Sequence, residues 1–191
     1  MPELPEVETV VRDLRAHGLE GAVIRSVDVR WPRLISGQTP ADFARSLTGR
    51  TVASLTRRAK YLVVTLDSGG RLLIHLRMTG KLRFAALNET RGKHDHVILT
   101  LGDGRALVFN DTRKFGRFRL CAPNEDPLAD LGPEPLEEAF TVAVLRARLS
   151  GKGRHIKPLL LDQTCVAGLG NIYVDEALWQ ARLHPERHAD T

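Results

Sequence analysis

The sequence predicts an α+β fold, an antiparallel β-sandwich carrying one N-terminal helix and followed by an all-helical segment. Three observations predict it. Apolar residues recur with a helical period near the N-terminus, with a strand period from about 22 to 122, and with a helical period again beyond a proline-rich stretch.

The first helix rests on Val7, Val10, Val11 and Leu14, an i, i+3, i+4, i+7 stripe that Gly18 would end. The strand region comprises "AVIRSVDVRW", "RTVASLTRRAKYLVVTLDSGGRLLIHLRMTG" and "HDHVILTLGDGRALVFND". These are β-branched runs broken by the hairpin signals "DSGG" and "GDG". "APNEDPLADLGPEPLEE", with four prolines, reads as a connector, and "PLEEAF" begins a helical pattern. "FTVAVLRARLSG" and "KPLLLDQ" read as helices, and Val174, Ala177, Leu178 and Ala181 mark one more. The expected division is a β-sandwich domain over 1–135 and a helical domain over 136–191.

Composition bounds the function. The chain has 191 residues, 42% hydrophobic and 27% charged, which suits one or two globular domains. No apolar run approaches the ~18 residues of a membrane span. The acidic, proline-bearing start is neither a signal nor a transit peptide, so a cytoplasmic protein without a membrane partner is expected. Cys121 and Cys165 lie far apart with no CxxC spacing, which argues against a disulfide framework or a self-contained thiolate metal site. The net charge of +5 suits a polyanionic partner.

The opening "MPELPEVETV" carries chemistry. Removal of Met1 would leave Pro2 with a free secondary amine. An α-amino group has a pKa of about 7.7–8.0, so part of it is unprotonated at neutral pH. The positive end of the helix dipole favours that neutral form, and a neutral amine that attacks carbon is the basis of Schiff-base catalysis. Glu3 stands beside it to move protons. A purely structural account, with Pro5 in the first turn and the acids favouring the dipole, explains Pro5 and the glutamates but leaves Pro2 unexplained.

"MPELPEVETV" is joined by "RRAKYLVV", "IHLRMTGKLR", "KHDHV", "DTRKFGRF", "LGPEPL", "IKPLLLDQ" and "VAGLGNIYVDEALW". In that order, over nearly the whole chain, these motifs resemble the formamidopyrimidine-DNA glycosylases, bifunctional repair enzymes that excise oxidised purines such as 8-oxoguanine. The resemblance implies that Pro2 displaces the damaged base and forms an imine with the opened sugar. It also implies that Glu3 protonates the sugar ring oxygen and that Lys60 donates a proton for β-elimination. Read without it, Lys60 is a solvated lysine at a strand edge. Met78 resembles an intercalating wedge with Arg113 and Phe115 as partners, although by composition Met78 and Phe115 would be core residues. His94 and His96 form an H-x-H on one strand, a spacing that could hold a metal. The resemblance instead assigns His94 to a DNA phosphate, with Asp95 positioning it.

Lys152 matches another phosphate contact. Asn171, in "GLGN", opens a helix, where amide donors and the dipole make an anion site; simple capping is its plainer reading. The helical segment thus resembles a helix–two-turn–helix domain. Family members end in a four-cysteine zinc finger. With two cysteines here, the finger and the later helices are expected to be missing, and no metal or cofactor is expected. The expected partner is damaged double-stranded DNA, bound by a monomer. Two alternatives are an endonuclease VIII-like glycosylase for oxidised pyrimidines and a DNA-binding fragment that recognises damage without cutting it.

Overall fold

The computed structural model describes residues 1–190. In chain order the elements are α1 (Leu4–Ala16), β1 (Ile24–Val29), β2 (Ile35–Ser36), α2 (Pro40–Leu47), β3 (Val52–Arg58), β4 (Tyr61–Leu66), β5 (Arg71–His75), β6 (Lys81–Ala86), β7 (Asp95–Leu101), β8 (Arg105–Asn110), β9 (Arg117–Cys121), α3 (Val142–Leu149), α4 (Ile156–Leu161) and α5 (Asn171–Gln180). They form two compact units, Met1–Asp126 and Pro127–Thr191.

α1 starts abruptly because its first turn is built for it. Glu3 is the cap, Pro5 sits in the first turn, and the Glu3 N–H donates to Glu6 Oε2 at 2.9 Å. The helix buries Leu4, Val7, Val11 and Leu14, with Val10 on the shoulder of the stripe. Gly18, at φ +75°, lets the chain reverse so that Leu19 N–H reaches Leu14 O.

The first unit holds two sheets, ordered β1-β7-β8-β6 and β2-β9-β5-β4-β3. Both hairpin signals are real turns: "DSGG" joins β4 to β5 and "GDG" joins β7 to β8. Every pairing is antiparallel except the short β2–β9 contact, which is parallel. Residues of both sheets and both helices merge into one core. Val97, Leu107 and Phe109 come from the first sheet, Leu62, Ile74 and Phe118 from the second, Val7 and Val11 from α1, and Phe43 and Leu47 from α2.

The helix α2 falls within the stretch read as strands. Its signal is local: Thr39 Oγ1 accepts the Asp42 N–H at 3.1 Å, and Pro40 occupies the first turn. Conversely, "PLEEAF" forms turns and no helix. In the second unit α4 and α5 pack through Ile156, Leu159, Leu160, Val174 and Leu178. α3 is capped by Thr141 but buries no residue of its own.

Phe118 joins the layers of the first unit. Its ring meets Phe109 edge-on at 4.9 Å between centroids and Phe43 at 6.2 Å. Phe118→Ala should therefore lower stability by about 3–5 kcal/mol, the range for an emptied aromatic core site. Urea denaturation of the two proteins measures the loss.

Candidate active site

The start of α1 meets the β3–β4 hairpin, and the two are tied by side chains. Arg57 of β3 donates through Nε to Glu8 Oε2 of α1 at 3.0 Å, and through Nη1 to the Ala59 carbonyl at 3.1 Å. Burial would raise the Glu8 carboxyl, but the bonds from Arg57 and Arg12 outweigh it and hold the group below the usual carboxylate range. The hairpin itself is tight. Arg58 pairs with Tyr61, leaving Ala59 and Lys60 as its only loop residues, and Ala59 takes a left-handed φ of +51°. A non-glycine residue in that region is held by its surroundings at a cost of about 1–3 kcal/mol.

This turn carries Lys60 inward. Its side chain is only 6% exposed, which removes the reading of a solvated lysine at a strand edge. Burial pushes its pKa below the ordinary lysine value; Glu3 pulls it back up and Arg77 pushes it down again. Glu3 is 2% exposed, and Pro2 beside it is half-buried. The structure thus brings Glu3 and Lys60 together at the chain terminus.

His75 belongs to the same cluster and has no counterpart among the sequence-predicted residues. It faces Tyr61 across β4 and β5, the rings meeting edge-on at 4.7 Å. Its Nδ1 accepts the Arg77 N–H at 3.0 Å. Burial, then Arg77, then Lys60 depress its pKa to about 4, so it is neutral at physiological pH. No sequence periodicity marks this histidine; its role comes from a strand pairing.

A second group lies on the loops after β5 and β8. Arg113 Nη1 stands 3.0 Å from Met78 Sδ, and its guanidinium lies 4.7 Å above the Phe115 ring centre. Met78 is 46% and Phe115 44% exposed, so neither is the core residue that composition would make it. The three side chains form one exposed cluster.

Beneath them sits Asp111, fully buried and also missed from sequence. Its Oδ1 accepts from the Thr79 hydroxyl and from Arg113 N–H at 3.1 Å, and its Oδ2 from Phe115 N–H and Gly116 N–H, both at 2.8 Å. Burial would raise its carboxyl, but the Thr79 hydroxyl and the three amides outweigh it and hold it low. Gly80 and Gly116 lie against the Phe109 ring, where a Cβ on either would collide with it.

His94 is half-buried; its carbonyl accepts the Asp111 N–H at 2.9 Å, and its Nδ1 has no hydrogen-bond partner among the described residues. Asp95 is buried and bonds Asn110, Gly92 and Arg83. His96 turns its Nε2 to the Asp111 carbonyl at 2.9 Å. Among the described residues no group of three or more His, Cys, Asp or Glu could hold a metal ion, and no helix is long and apolar enough to cross a membrane.

In the second unit Lys152 is exposed in the turn after α3. Asn171 is exposed as the first residue of α5; the cap position is Gly170, so Asn171 does not serve as the cap. The loop before it is shaped by Gln163, whose amide donates to the Leu161 and Leu169 carbonyls and accepts the Gly168 N–H.

Comparison with known proteins agrees with this architecture. Residues 1–118 match the formamidopyrimidine-DNA glycosylase N-terminal domain, and residues 131–191 match the H2TH domain of the same glycosylases. The formamidopyrimidine-DNA glycosylase of Bacillus subtilis is 49% identical over the whole of this chain, which spans 70% of that relative. The Lactococcus lactis enzyme, solved non-covalently bound to DNA with an abasic site, superposes with a TM-score of 0.90 at 40% identity, covering 98% of this chain and 73% of that one. Its complex with Fapy-dG-containing DNA gives the same score and identity, with 99% and 72% covered. The fold is that of a base-excision-repair DNA glycosylase. The chain belongs to the formamidopyrimidine-DNA glycosylase family.

The depressed His75 gives a pH signature. The unfolded histidine titrates near 6.5 and the folded one near 4, so the unfolded state takes up the proton first as pH falls. Stability is full above about 6.5 and declines toward 4, by up to roughly 3 kcal/mol. Urea melts from pH 7 to 4 should show this decline, and His75→Gln should flatten it.

Proposed function

We propose that the chain removes oxidised purines, 8-oxoguanine and formamidopyrimidines, from duplex DNA and then nicks the abasic strand. The burial of Glu3 and Lys60 together beside Pro2 carries this reading. Loss of Met1 gives Pro2 a secondary amine. The amine nitrogen bonds to sugar C1′ as the bond from C1′ to the damaged base breaks. Glu3 protonates the ring oxygen, the sugar opens, and an imine links it to Pro2. Loss of a C2′ proton then expels the 3′ phosphate by β-elimination, and a further δ-elimination can release the 5′ side. Lys60, its proton loosened by burial, is the donor for β-elimination.

Met78, Arg113 and Phe115 act as the wedge that fills the space left by a flipped base. Their exposure and mutual contact support this reading, since an apolar chain, an aromatic ring and a guanidinium are suitable fillers. His94, Arg113, Lys152 and the α5 terminus at Asn171 contact the DNA backbone. The division into a catalytic domain over 1–135 and a helix–two-turn–helix DNA-binding domain over 136–191 places the chemistry in the first and backbone contacts in both. The protein acts in the cytoplasm as a monomer.

Two measurements test this. Intact mass should show active protein without Met1, and borohydride should trap it on an 8-oxoguanine duplex. Trapping by protein that retains Met1 would defeat the Pro2 mechanism. Trapping on an oxidised-pyrimidine duplex alone would favour the endonuclease VIII-like alternative, and binding without trapping would favour the non-catalytic one. Glu3→Gln should slow excision by about 10²–10⁴-fold, the usual worth of general acid–base catalysis, while still cleaving a ready-made abasic site. Equal excision by mutant and parent would remove Glu3 from the mechanism.

A further inference from the structure

We infer that Asp111 is a positioning residue for the wedge, its single buried carboxylate setting the loops that carry Met78, Arg113 and Phe115. The inference rests on the wedge reading above and assigns what holds it in place.

The geometry is specific. Each carboxylate oxygen accepts two donors: Oδ1 the Thr79 hydroxyl and Arg113 N–H, Oδ2 the N–H groups of Phe115 and Gly116. Thr79 follows Met78 directly, so one group ties both wedge loops. The Asp111 backbone binds a third segment, donating to the His94 carbonyl and accepting from His96 Nε2. Around it, Gly80 and Gly116 admit the Phe109 ring as a shared floor. Lys114, at φ +59°, sends its Nζ over the Trp31 ring at 3.9 Å and so anchors the outer side of the loop. The backbone of the wedge is fixed while its side chains stay exposed.

Met and Arg are among the side chains that lose most rotamer freedom when ordered, so a fixed backbone lessens what insertion must overcome. The chemistry requires a carboxylate. An asparagine has one acceptor oxygen and presents an NH2 to the second pair of donors, so two of the four would lose their acceptor.

The test uses Asp111→Asn in the full chain, beside Met78→Ala and, as a control for general destabilisation, Ile98→Ala in β7. Hydrogen exchange should quicken in 76–80 and 111–116 of Asp111→Asn alone, with β7 and β8 otherwise protected. Excision of 8-oxoguanine from duplex should fall about 10–100-fold, the scale of a displacement of ~1 Å, in Asp111→Asn and Met78→Ala. Borohydride trapping on a ready-made abasic site, which has no base to evict, should change little, so the ratio of excision to trapping is the readout. Ile98→Ala should leave that ratio unchanged.

Unchanged exchange in Asp111→Asn overturns the inference, and so does faster exchange with an unchanged ratio. A Met78→Ala ratio equal to that of the parent sinks the wedge reading instead, while the exchange data still judge the clamp. Absence of trapping in the parent sinks the glycosylase mechanism, and exchange again decides on Asp111.

Discussion

A carboxylate with no access to water needs full compensation, and Asp111 receives it from four donors on two loops. The requirement runs both ways. The loops after β5 and β8 have short polar turns whose N–H groups need acceptors once covered, and the carboxylate satisfies several of them at once. Because Asp111 also grips the His94–His96 segment through its backbone, three non-contiguous pieces of chain share one anchor. The exposed cluster of Met78, Arg113 and Phe115 is a consequence of that anchor.

The turn between β3 and β4 obeys the same logic with the opposite charge. Lys60 is buried because a two-residue turn leaves it nowhere else to go, and Arg57 holds that turn from Glu8. The ammonium is compensated only in part, by Glu3 and against Arg77, so its proton is held loosely. Asp111 is compensated completely and stays charged. Complete compensation suits a residue that holds a shape, and partial compensation suits one that moves protons.

How far the sequence carried these features depended on the range of the interaction behind each. α1 was legible because its stripe and its terminating glycine are local, and the hairpins because "DSGG" and "GDG" encode turns. The helix α2 was overlooked although Thr39 and Pro40 are an adequate start signal, since the surrounding β-branched runs dominate the window. "PLEEAF" failed for the converse reason: a proline followed by two acids fits a helix start, but the chain there turns instead. Pro2, Glu3, Lys60 and Met78 emerged from motifs, yet the burial of Lys60 and the exposure of Met78 did not. His75 and Asp111 gave no signal, because each depends on strand pairing or on donors supplied by another loop.

The buried start of α1 also bears on the order in which the protein can assemble. Leu4 and Val7 are synthesised before the strands that α1 packs against, which begin about forty-five residues downstream. Contacts of such sequence separation form late, after the intervening loops have closed. The terminus is therefore still unpacked while the rest of the first unit is being synthesised, so the proposed removal of Met1 can precede its burial against the strands.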